Sequence, residues 1–286
     1  MISDYLTQID DHINFLHATR KPPFNVHFHL HKGCEIFFLI RGDVNYFVEK
    51  TVYPLQYGDL IITNEHEIHK PALTTDAMYE RVTIEFNPAL LAHFQTEFFQ
   101  PLQCFYDRPL GENNKITLTE LEHTTLVDLF QKYNHAKKHP FEGDALMKLG
   151  YLLAILSHVH RFYETNKEKA LGIDLPLRLT PILAYLNQHL AEDLSLEQLE
   201  KQFYISRYHL SRLFKKHTGS TIHEYIVFKR IALAKRLLKD GATVTEVVWA
   251  QALTITRDFF GCSRKKSVSC RNIMRSKQAL GEACRC

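Results

Sequence analysis

Residues 194–238 have the sequence LSLEQLEKQFYISRYHLSRLFKKHTGSTIHEYIVFKRIALAKRLL, whose apolar spacing predicts three successive helices. The first is short and follows Ser195, a residue type that caps helix N-termini. A break at residues 203–205 separates it from a second helix that Ser206 can cap. Thr218 and Gly219 end that second helix. The pattern therefore indicates two short helices around a tight turn, followed by a longer helix.

The second helix has the composition of a DNA-recognition helix. Leu210, Leu213 and Phe214 form its predicted buried stripe, which leaves a polar and basic face. Such a face suits the major groove, where the first turns meet base edges and the later lysines meet phosphates. The alternative is an ordinary amphipathic helix with a solvated basic face. The predicted DNA contacts are Ser206, Arg207, Tyr208, His209, Ser211, Arg212, Lys215 and Lys216.

This segment resembles the first helix-turn-helix unit of an AraC/XylS-type transcription regulator. The resemblance is carried by Ser206, Tyr208, Leu210, Ser211, Arg212, Leu213, Phe214, Lys215, Gly219, Tyr225, Arg230, Ala234, Leu237 and Leu238. It implies a C-terminal all-α module of two units joined by one long helix, residues 222–239, with recognition helices in successive major grooves of double-stranded DNA. The family usually has a small residue at the position of Glu200. We expect the Glu200 carboxylate to turn outward or to pair with a residue such as Arg207, because burying it unpaired would be costly.

The second helix-turn-helix unit begins at residues 243–250 and then loses the family pattern after Gln251. With codons chosen to fit the residues from Ala252 onward, reading from the last G of a CAG codon for Gln251 gives GFNDYSRFFRVFSKKVGVMPQHY. This sequence resembles the missing second unit. The third codon bases are free choices, whereas most first and second bases are fixed by the observed residues. We therefore interpret residues 251–286 as an aberrant, frameshifted tail that leaves the second unit incomplete, through a lesion or a sequencing error.

The segment between residues 24 and 86 changes to short strands rich in Ile, Val, Phe and Tyr. Strands are predicted at residues 35–40, 44–49, 59–63 and 79–86, and their even spacing indicates a barrel or sandwich. Two groups of residues resemble the cupin motifs. The first motif is matched by His29, His31, Glu35 and Gly42, and a degenerate second motif by Pro54, Gly58, Asp59, Asn64 and His69. AraC-type regulators often carry a cupin-like sensor domain at the N-terminus. The two resemblances therefore support each other.

The predicted ligand-binding residues are His29, His31, Glu35, Tyr46 and His69. In cupin enzymes, the residues equivalent to the three histidines and Glu35 bind a transition metal. Alternating His29 and His31 would face the same side of a strand, so that geometry is open here. Regulators of this kind commonly keep the shape without the metal, and we favour a pocket with no metal and no cofactor. Aromatic residues such as Tyr46, Phe38 and Phe86 either line the pocket or belong to the ordinary core, which is the more common case.

Two helical patterns follow the strands, at residues 118–136 and 141–163. The apolar face of the second is wider than a lone surface helix needs, so it either docks on the barrel or pairs with a second copy. The resemblance implies a homodimer formed through such helices. We therefore predict an α+β protein with a cupin-like barrel at residues 1–110, a helical dimerisation region at 111–163, a linker at 164–175, a DNA-binding module at 176–250 and the tail at 251–286.

Composition agrees with a DNA-binding protein of two domains. The net charge of +3 over 286 residues is uneven, since residues 1–174 are net acidic and the remainder is net basic, as phosphate attraction requires. Neither a membrane-spanning run nor a signal peptide is evident, which predicts a cytoplasmic protein without membrane contact. The six cysteines have no spacing that indicates zinc.

The sequence therefore predicts a sequence-specific transcription regulator, not an enzyme, that responds to a small-molecule effector. Sugars are common effectors in the family, although these residues do not indicate one. Two alternatives remain open: a metal-dependent cupin enzyme fused to a DNA-binding module, and a non-functional frameshifted product.

Restoring one G at codon 251 tests the frameshift hypothesis. We expect the repaired protein to bind its operator at least tenfold more tightly, about 1.4 kcal/mol, because a second recognition helix adds phosphate contacts one helical turn away. Affinity is measured for both proteins on the same operator over a range of salt concentrations. Equal binding by the two proteins would show that the tail has a function of its own.

Overall fold

The computed structural model describes residues 9–22, 24, 26–97, 100–166, 173–174 and 179–243. The described residues divide into two compact units, one within residues 1–181 and 212–220 and the other within residues 182–211 and 221–286. No helix in the described ranges combines the length and the apolar character that a membrane span requires.

The described part of the first unit contains two antiparallel sheets. The strands are β1 (Ile13–Arg20), β2 (Cys34–Arg41), β3 (Val44–Val48), β4 (Thr51–Leu55), β5 (Leu60–Thr63), β6 (His69–Leu73), β7 (Tyr79–Phe86), β8 (Lys115–Ile116) and β9 (Ile173–Asp174). One sheet has the order β1-β7-β2-β5-β8 and the other the order β6-β3-β4-β9. The four strands that the sequence predicts are confirmed as β2, β3, β5 and β7.

The first unit also contains helices, and the secondary structure in the described part of the second unit is helical. They are α1 (Ile9–His12), a 3-10 helix (Pro88–Phe94), α2 (Gln103–Tyr106), α3 (Glu120–Lys138), α4 (Asp144–Asn166), α5 (Leu179–Gln188), α6 (Leu196–Phe203), α7 (Arg207–Thr218) and α8 (Ile222–Lys239). Capping boxes at Thr119, Ser195 and Thr221 fix the first turns of α3, α6 and α8. The predicted helices at 118–136, 141–163 and 222–239 are confirmed.

Strand β2 is buried on both faces. Ile36 and Phe38 belong to a core that the five-stranded sheet shares with α3 and α4. Their neighbours Phe37 and Leu39 point to the opposite face, where they join a second core with residues of the other sheet such as Tyr53. Because adjacent residues of a strand point to opposite faces, the continuous apolar run IFFLI at residues 36–40 is what a strand between two cores requires.

The wide apolar face of α4 packs against the sheet. Leu149, Leu152, Leu156 and Val159 are buried in the same core as Ile36. Leu146, at the start of the helix, remains 61% exposed. Docking within the unit therefore accounts for most of the apolar face that the sequence left open between barrel packing and pairing with a second copy.

The predicted linker at residues 164–175 is partly wrong. Helix α4 continues to Asn166, and Ile173 and Asp174 form β9, which pairs with Val52 and Thr51 of β4. The edge of β4 offers backbone donors and acceptors that this short strand satisfies, which polarity along the sequence does not reveal. The remaining residues of that segment lie outside the described ranges. The predicted helix at 243–250, apart from Thr243, and the predicted tail at 251–286 also lie outside them.

A buried ion pair holds the connection between the sheets and α3. Arg108 Nη1 donates to Glu67 Oε1 at 2.7 Å, and the side chains of Arg108 and Glu67 are 1% and 0% exposed. Glu67 also accepts hydrogen bonds from the backbone of Gly111 and the side chain of Asn114. Arg108 in turn donates to the Ile62 carbonyl in β5. One carboxylate therefore fastens residues 108–114 to the five-stranded sheet.

We expect Arg108→Met to lower the free energy of unfolding by about 3–5 kcal/mol, because it leaves the Glu67 carboxylate buried without its countercharge. Urea denaturation monitored by circular dichroism measures the change. The matched control is Asp128→Asn, which breaks the exposed pair with Lys132 and should cost about 1 kcal/mol or less. Similar losses in the two variants would show that the Arg108–Glu67 pair does not fasten this segment.

Candidate functional site

The structure brings together all five residues predicted to bind a ligand. Glu35 lies on β2, Tyr46 on β3 and His69 on β6, whereas His29 and His31 precede β2. The ring centroids of His29, His31 and His69, here called the histidine cluster, lie 4.9–5.6 Å apart. A β-bridge between His29 and His69 fixes the approach of the two segments.

Glu35 is the centre of the hydrogen bonds in this site. The Tyr46 hydroxyl donates to Glu35 Oε1 at 3.1 Å, and His31 Nε2 lies 2.7 Å from Glu35 Oε2. The other ring nitrogen of His31 lies 3.3 Å from Glu85 Oε2. His31 therefore joins two carboxylates, one from β2 and one from β7.

His29 and His69 are oriented by their own backbone neighbours. His29 Nδ1 lies 2.6 Å from the His27 carbonyl oxygen, and His69 Nδ1 lies 2.8 Å from that of Glu67. A carbonyl oxygen only accepts, so each Nδ1 carries the proton and each Nε2 keeps a lone pair. Ring nitrogens of the histidine cluster come within 4.8 Å of one another, as do ligand atoms of His31, Glu35 and Glu85. Either group has donor atoms that could hold a metal ion.

Burial and neighbouring charges divide these groups by protonation state. Burial, together with the charge of His69, lowers the pKa of His29 to about 3, and burial also lowers the pKa of His69. Burial acts in the same direction on His31, but the hydrogen bond and charge of Glu35 outweigh it and raise the pKa of His31. Burial would raise the pKa of Glu35, yet the His31 hydrogen bond and the nearby histidines lower it to about 2. His31 and Glu35 therefore form an ion pair beside two neutral imidazoles.

A cavity of about 290 Å³ opens beside this group, near the lower end of the usual range for small-molecule pockets. Four of the predicted residues, His29, His31, Glu35 and Tyr46, line it. A further wall comes from alternate residues of β7, here called the β7 row: Tyr79, Arg81, Thr83 and Glu85. Sequence reasoning missed this row, although the period-two alternation of YERVTIEF signals it.

The aromatic residues divide between wall and core. Phe38 and Phe86 belong to the core under α3 and α4, as the more common case predicts. Tyr46 lines the cavity and is also packed with Phe37, with ring centroids 4.6 Å apart. The difference follows from the alternation of side chains along a strand, because Phe37 and Phe38 are neighbours on β2 and point to opposite faces.

Helices α6 and α7 adopt the predicted helix-turn-helix form. Tyr204 has a left-handed conformation, with φ of 51°, and makes the tight turn between them. The Ser206 hydroxyl accepts a hydrogen bond from the His209 backbone at 3.3 Å and so caps α7 as predicted. Leu210 and Phe214 are fully buried, whereas Leu213 is half-buried. Gly219, with φ of 67°, follows the last turn of α7.

The remaining side chains of α7 form an exposed polar strip. A helix turns by about 100° per residue, so Tyr208, Arg212 and Lys215 lie on the side opposite Leu210 and Phe214. The strip, here called the recognition strip, consists of Tyr208, His209, Ser211, Arg212, Lys215 and Lys216; Ser211 is half-buried and the others are exposed. Ser206 is exposed at the start of the helix.

Arg207 departs from the predicted arrangement. Its guanidinium lies 2.7 Å from the Glu197 carboxylate on α6, and its central carbon lies 5.3 Å from the centre of the Tyr208 ring. Of the two outcomes expected for Glu200, turning outward or pairing with a residue such as Arg207, the pairing with Arg207 is not found, because Arg207 pairs with Glu197. Glu200 is half-buried.

Helix α8 is tied to the end of α5. The buried Arg230 donates to the carbonyl oxygens of Leu190 and Glu192, and the Tyr225 hydroxyl donates to Asn187. Tyr185 on α5 also makes an edge contact with Phe203 of α6, with ring centroids 5.5 Å apart. The hydrogen bonds of Arg230 and Tyr225 therefore hold α8 against the end of α5, and the ring contact holds α6 against α5.

Two family models match the sequence of this chain. The model of the AraC-like ligand binding domain matches residues 15–178, more than half of the chain. A helix-turn-helix domain model matches residues 199–254. The chain therefore belongs to the AraC-like ligand binding domain family and carries a helix-turn-helix domain after it.

The chain is also similar to two uncharacterized regulators and to two solved structures. An uncharacterized HTH-type transcriptional regulator of Staphylococcus aureus strain COL is 24% identical over 225 residues, which are 78% of this chain and 28% of the relative. YfiF of Bacillus subtilis, also an uncharacterized HTH-type transcriptional regulator, is 24% identical over 76% of this chain and 68% of its own length. The AraC-like transcriptional activator CuxR is 14% identical, with a TM-score of 0.38 over 82% of this chain and 81% of its own. ToxT of Vibrio cholerae is 12% identical, with a TM-score of 0.36 over 85% and 90%. The chain thus spans less than a third of the length of the staphylococcal relative.

We expect the stability of the first unit to fall as the pH is lowered from 6.5 to 4.5. Unfolded His29 takes up a proton near pH 6.5, whereas folded His29 does so only near pH 3, so the unfolded state binds more protons in this window. His29→Asn removes this contribution, and its Tm should fall less steeply with decreasing pH than that of the unsubstituted protein. Thermal denaturation at several pH values measures the slope.

The control for this comparison is His66→Gln, which removes an exposed histidine outside the cluster. It should leave the slope unchanged. A slope in His29→Asn equal to that of the unsubstituted protein would mean that His29 is already protonated in the folded state at these pH values.

Proposed function

We propose that this chain is a transcription regulator that binds double-stranded DNA through α7 and responds to a small-molecule effector in the cavity. The observation that carries the proposal is the presence, in one chain, of a preformed polar cavity and an exposed basic recognition helix. The chain spans 28% of the length of the staphylococcal relative, so its DNA and effector partners are proposed and are not taken from that relative. The proposal keeps the predicted cupin-like barrel at residues 1–110, the helical dimerisation region at 111–163 and the DNA-binding module at 176–250, and it drops the linker at 164–175.

The recognition strip supplies the DNA contacts. Tyr208, His209 and Arg212 lie in the first half of α7, where a recognition helix meets base edges. Lys215 and Lys216 lie in the last turn and suit phosphate contacts. Ser206 and Ser211 can donate to the sugar-phosphate backbone. Arg207, held by Glu197, would reach the DNA only by exchanging one anionic partner for another.

The cavity is proposed to act by binding an effector without a resident metal and without catalysis. His31 and Glu35 already satisfy each other at 2.7 Å, and a protonated imidazole has no lone pair for a metal. A metal ion would have to replace this pair. Elemental analysis of the purified protein distinguishes the two cases, because stoichiometric iron, manganese or nickel that is lost on His29 and His31 substitution would favour the enzyme.

The effector acts if it binds two states of the protein with different affinity, since only differential affinity shifts an equilibrium. A cytoplasmic homodimer would present two such helices to a repeated or palindromic site. The residues of the helical region that remain exposed, Leu121 and Leu146 among them, support pairing with a second copy.

We expect Arg212→Ala to reduce discrimination between operator and mismatched DNA by about 1–3 kcal/mol, because a bidentate contact to a base edge is lost.

We expect Lys216→Ala to weaken binding to all sequences and to lower the slope of log affinity against log salt by about 1. Fluorescence anisotropy with an operator selected from random DNA measures both effects.

The matched control is Lys138→Ala, which removes an exposed lysine at the end of α3. It should change neither discrimination nor salt dependence. If Arg212→Ala weakens binding equally on operator and random DNA, Arg212 contacts phosphate. If neither substitution on α7 changes DNA binding, the proposed interface is wrong.

A further inference from the structure

The acids and bases that line the cavity are not equally satisfied. Glu35 contacts Tyr46 and His31, and Glu85 contacts His31, so both carboxylates have protein partners. On the β7 row, in contrast, the Tyr79 hydroxyl and Arg81 Nη1 are buried and have no hydrogen-bond partner among the described residues. Leaving a buried donor unpaired is costly, so a donor of this kind that lines a cavity calls for an acceptor from a bound molecule.

These two donors lie together. Tyr79 and Arg81 are separated by one residue on β7 and point to the same side, with the Arg81 guanidinium carbon 5.1 Å from the centre of the Tyr79 ring. Both line the cavity. The other arginine of the lining, Arg20, is exposed to solvent. The β7 row therefore presents to the cavity a buried pair of donors that have no acceptor among the described residues.

From this geometry we infer that the effector is a small organic carboxylate, anchored by Arg81 and Tyr79. A planar guanidinium matches the two oxygens of a carboxylate, and the Tyr79 hydroxyl adds a third donor. A phosphate ester, with a charge near −2, fits less well because Glu35 and Glu85 line the same cavity. The inference rests on the proposed function, since it names the chemical class of the molecule that the cavity senses.

Matched pairs of an acid and its uncharged counterpart test the anchor on the full chain. The probes are D-galacturonate with D-galactose, and cyclohexanecarboxylate with cyclohexanecarboxamide. Isothermal titration calorimetry at pH 7 should show, in at least one pair, that the acid binds about tenfold or more tightly than its neutral partner, as expected for charge-assisted hydrogen bonds. Equal binding within both pairs overturns the inference, as does tighter binding of galactose 1-phosphate than of either acid.

Three variants show whether these residues make the distinction. Arg81→Gln should abolish the preference for the acid, and Tyr79→Phe should reduce it. Arg41→Gln, which removes an exposed arginine outside the cavity, is the control and should keep the preference. A preference that survives Arg81→Gln overturns the inference. If Arg81→Gln does not fold, Arg81→Lys provides the measurement, since it keeps the charge and loses the planar fork, and should retain only part of the preference.

Tyr79→Phe has a second readout that needs no ligand. Because the hydroxyl is buried without a partner, its removal should leave the Tm of the free protein unchanged or raise it. A lowered Tm would mean that the hydroxyl has a structural partner, which contradicts the inference. Carboxylate binding with no effect on DNA affinity would count against the proposed regulator and leave the anchor intact. An effect on DNA affinity from uncharged ligands alone would overturn the carboxylate anchor and support the proposed regulator.

Discussion

The burial of β2 on both faces is the constraint on which the first unit depends. On one face, Ile36 and Phe38 pack with α3 and α4; on the other, Phe37 and Leu39 pack with the second sheet. A strand of this kind has no solvent side, so every polar group on it must find a partner inside the protein. Glu35 is the polar residue that β2 carries into the interior, and it is 3% exposed.

The site follows from how that carboxylate is satisfied. His31 and Tyr46 supply its hydrogen bonds, and the His31–Glu35 pair keeps a charge in a place where an isolated one would not be stable. On the β7 row, the Tyr79 hydroxyl and Arg81 Nη1 are left as buried donors with no partner among the described residues. Unequal satisfaction of neighbouring polar groups thus gives the cavity its chemical preference, which the apolar lining alone would not supply.

The helix-turn-helix is stabilised by different contacts, because its short helices have little core of their own. Capping boxes, the left-handed turn at Tyr204 and the buried pair Leu210 and Phe214 fix α6 and α7. Arg230 and Tyr225 then fix α5 to α8. The polar side of α7 is exposed to solvent, as DNA contact requires.

The sequence by itself determined the elements with strong local signals: the strands of alternating or continuous apolar residues, the capped helices α6 to α8, and the five residues that meet around the cavity. Tertiary structure alone decided the partner of Arg207, the pairing of β9 with β4 and the role of the β7 row. The physical reason is that local patterns fix periodicity and therefore faces. Which polar groups remain unpaired depends on side chains brought together from β2, β6 and β7, strands that lie far apart along the chain.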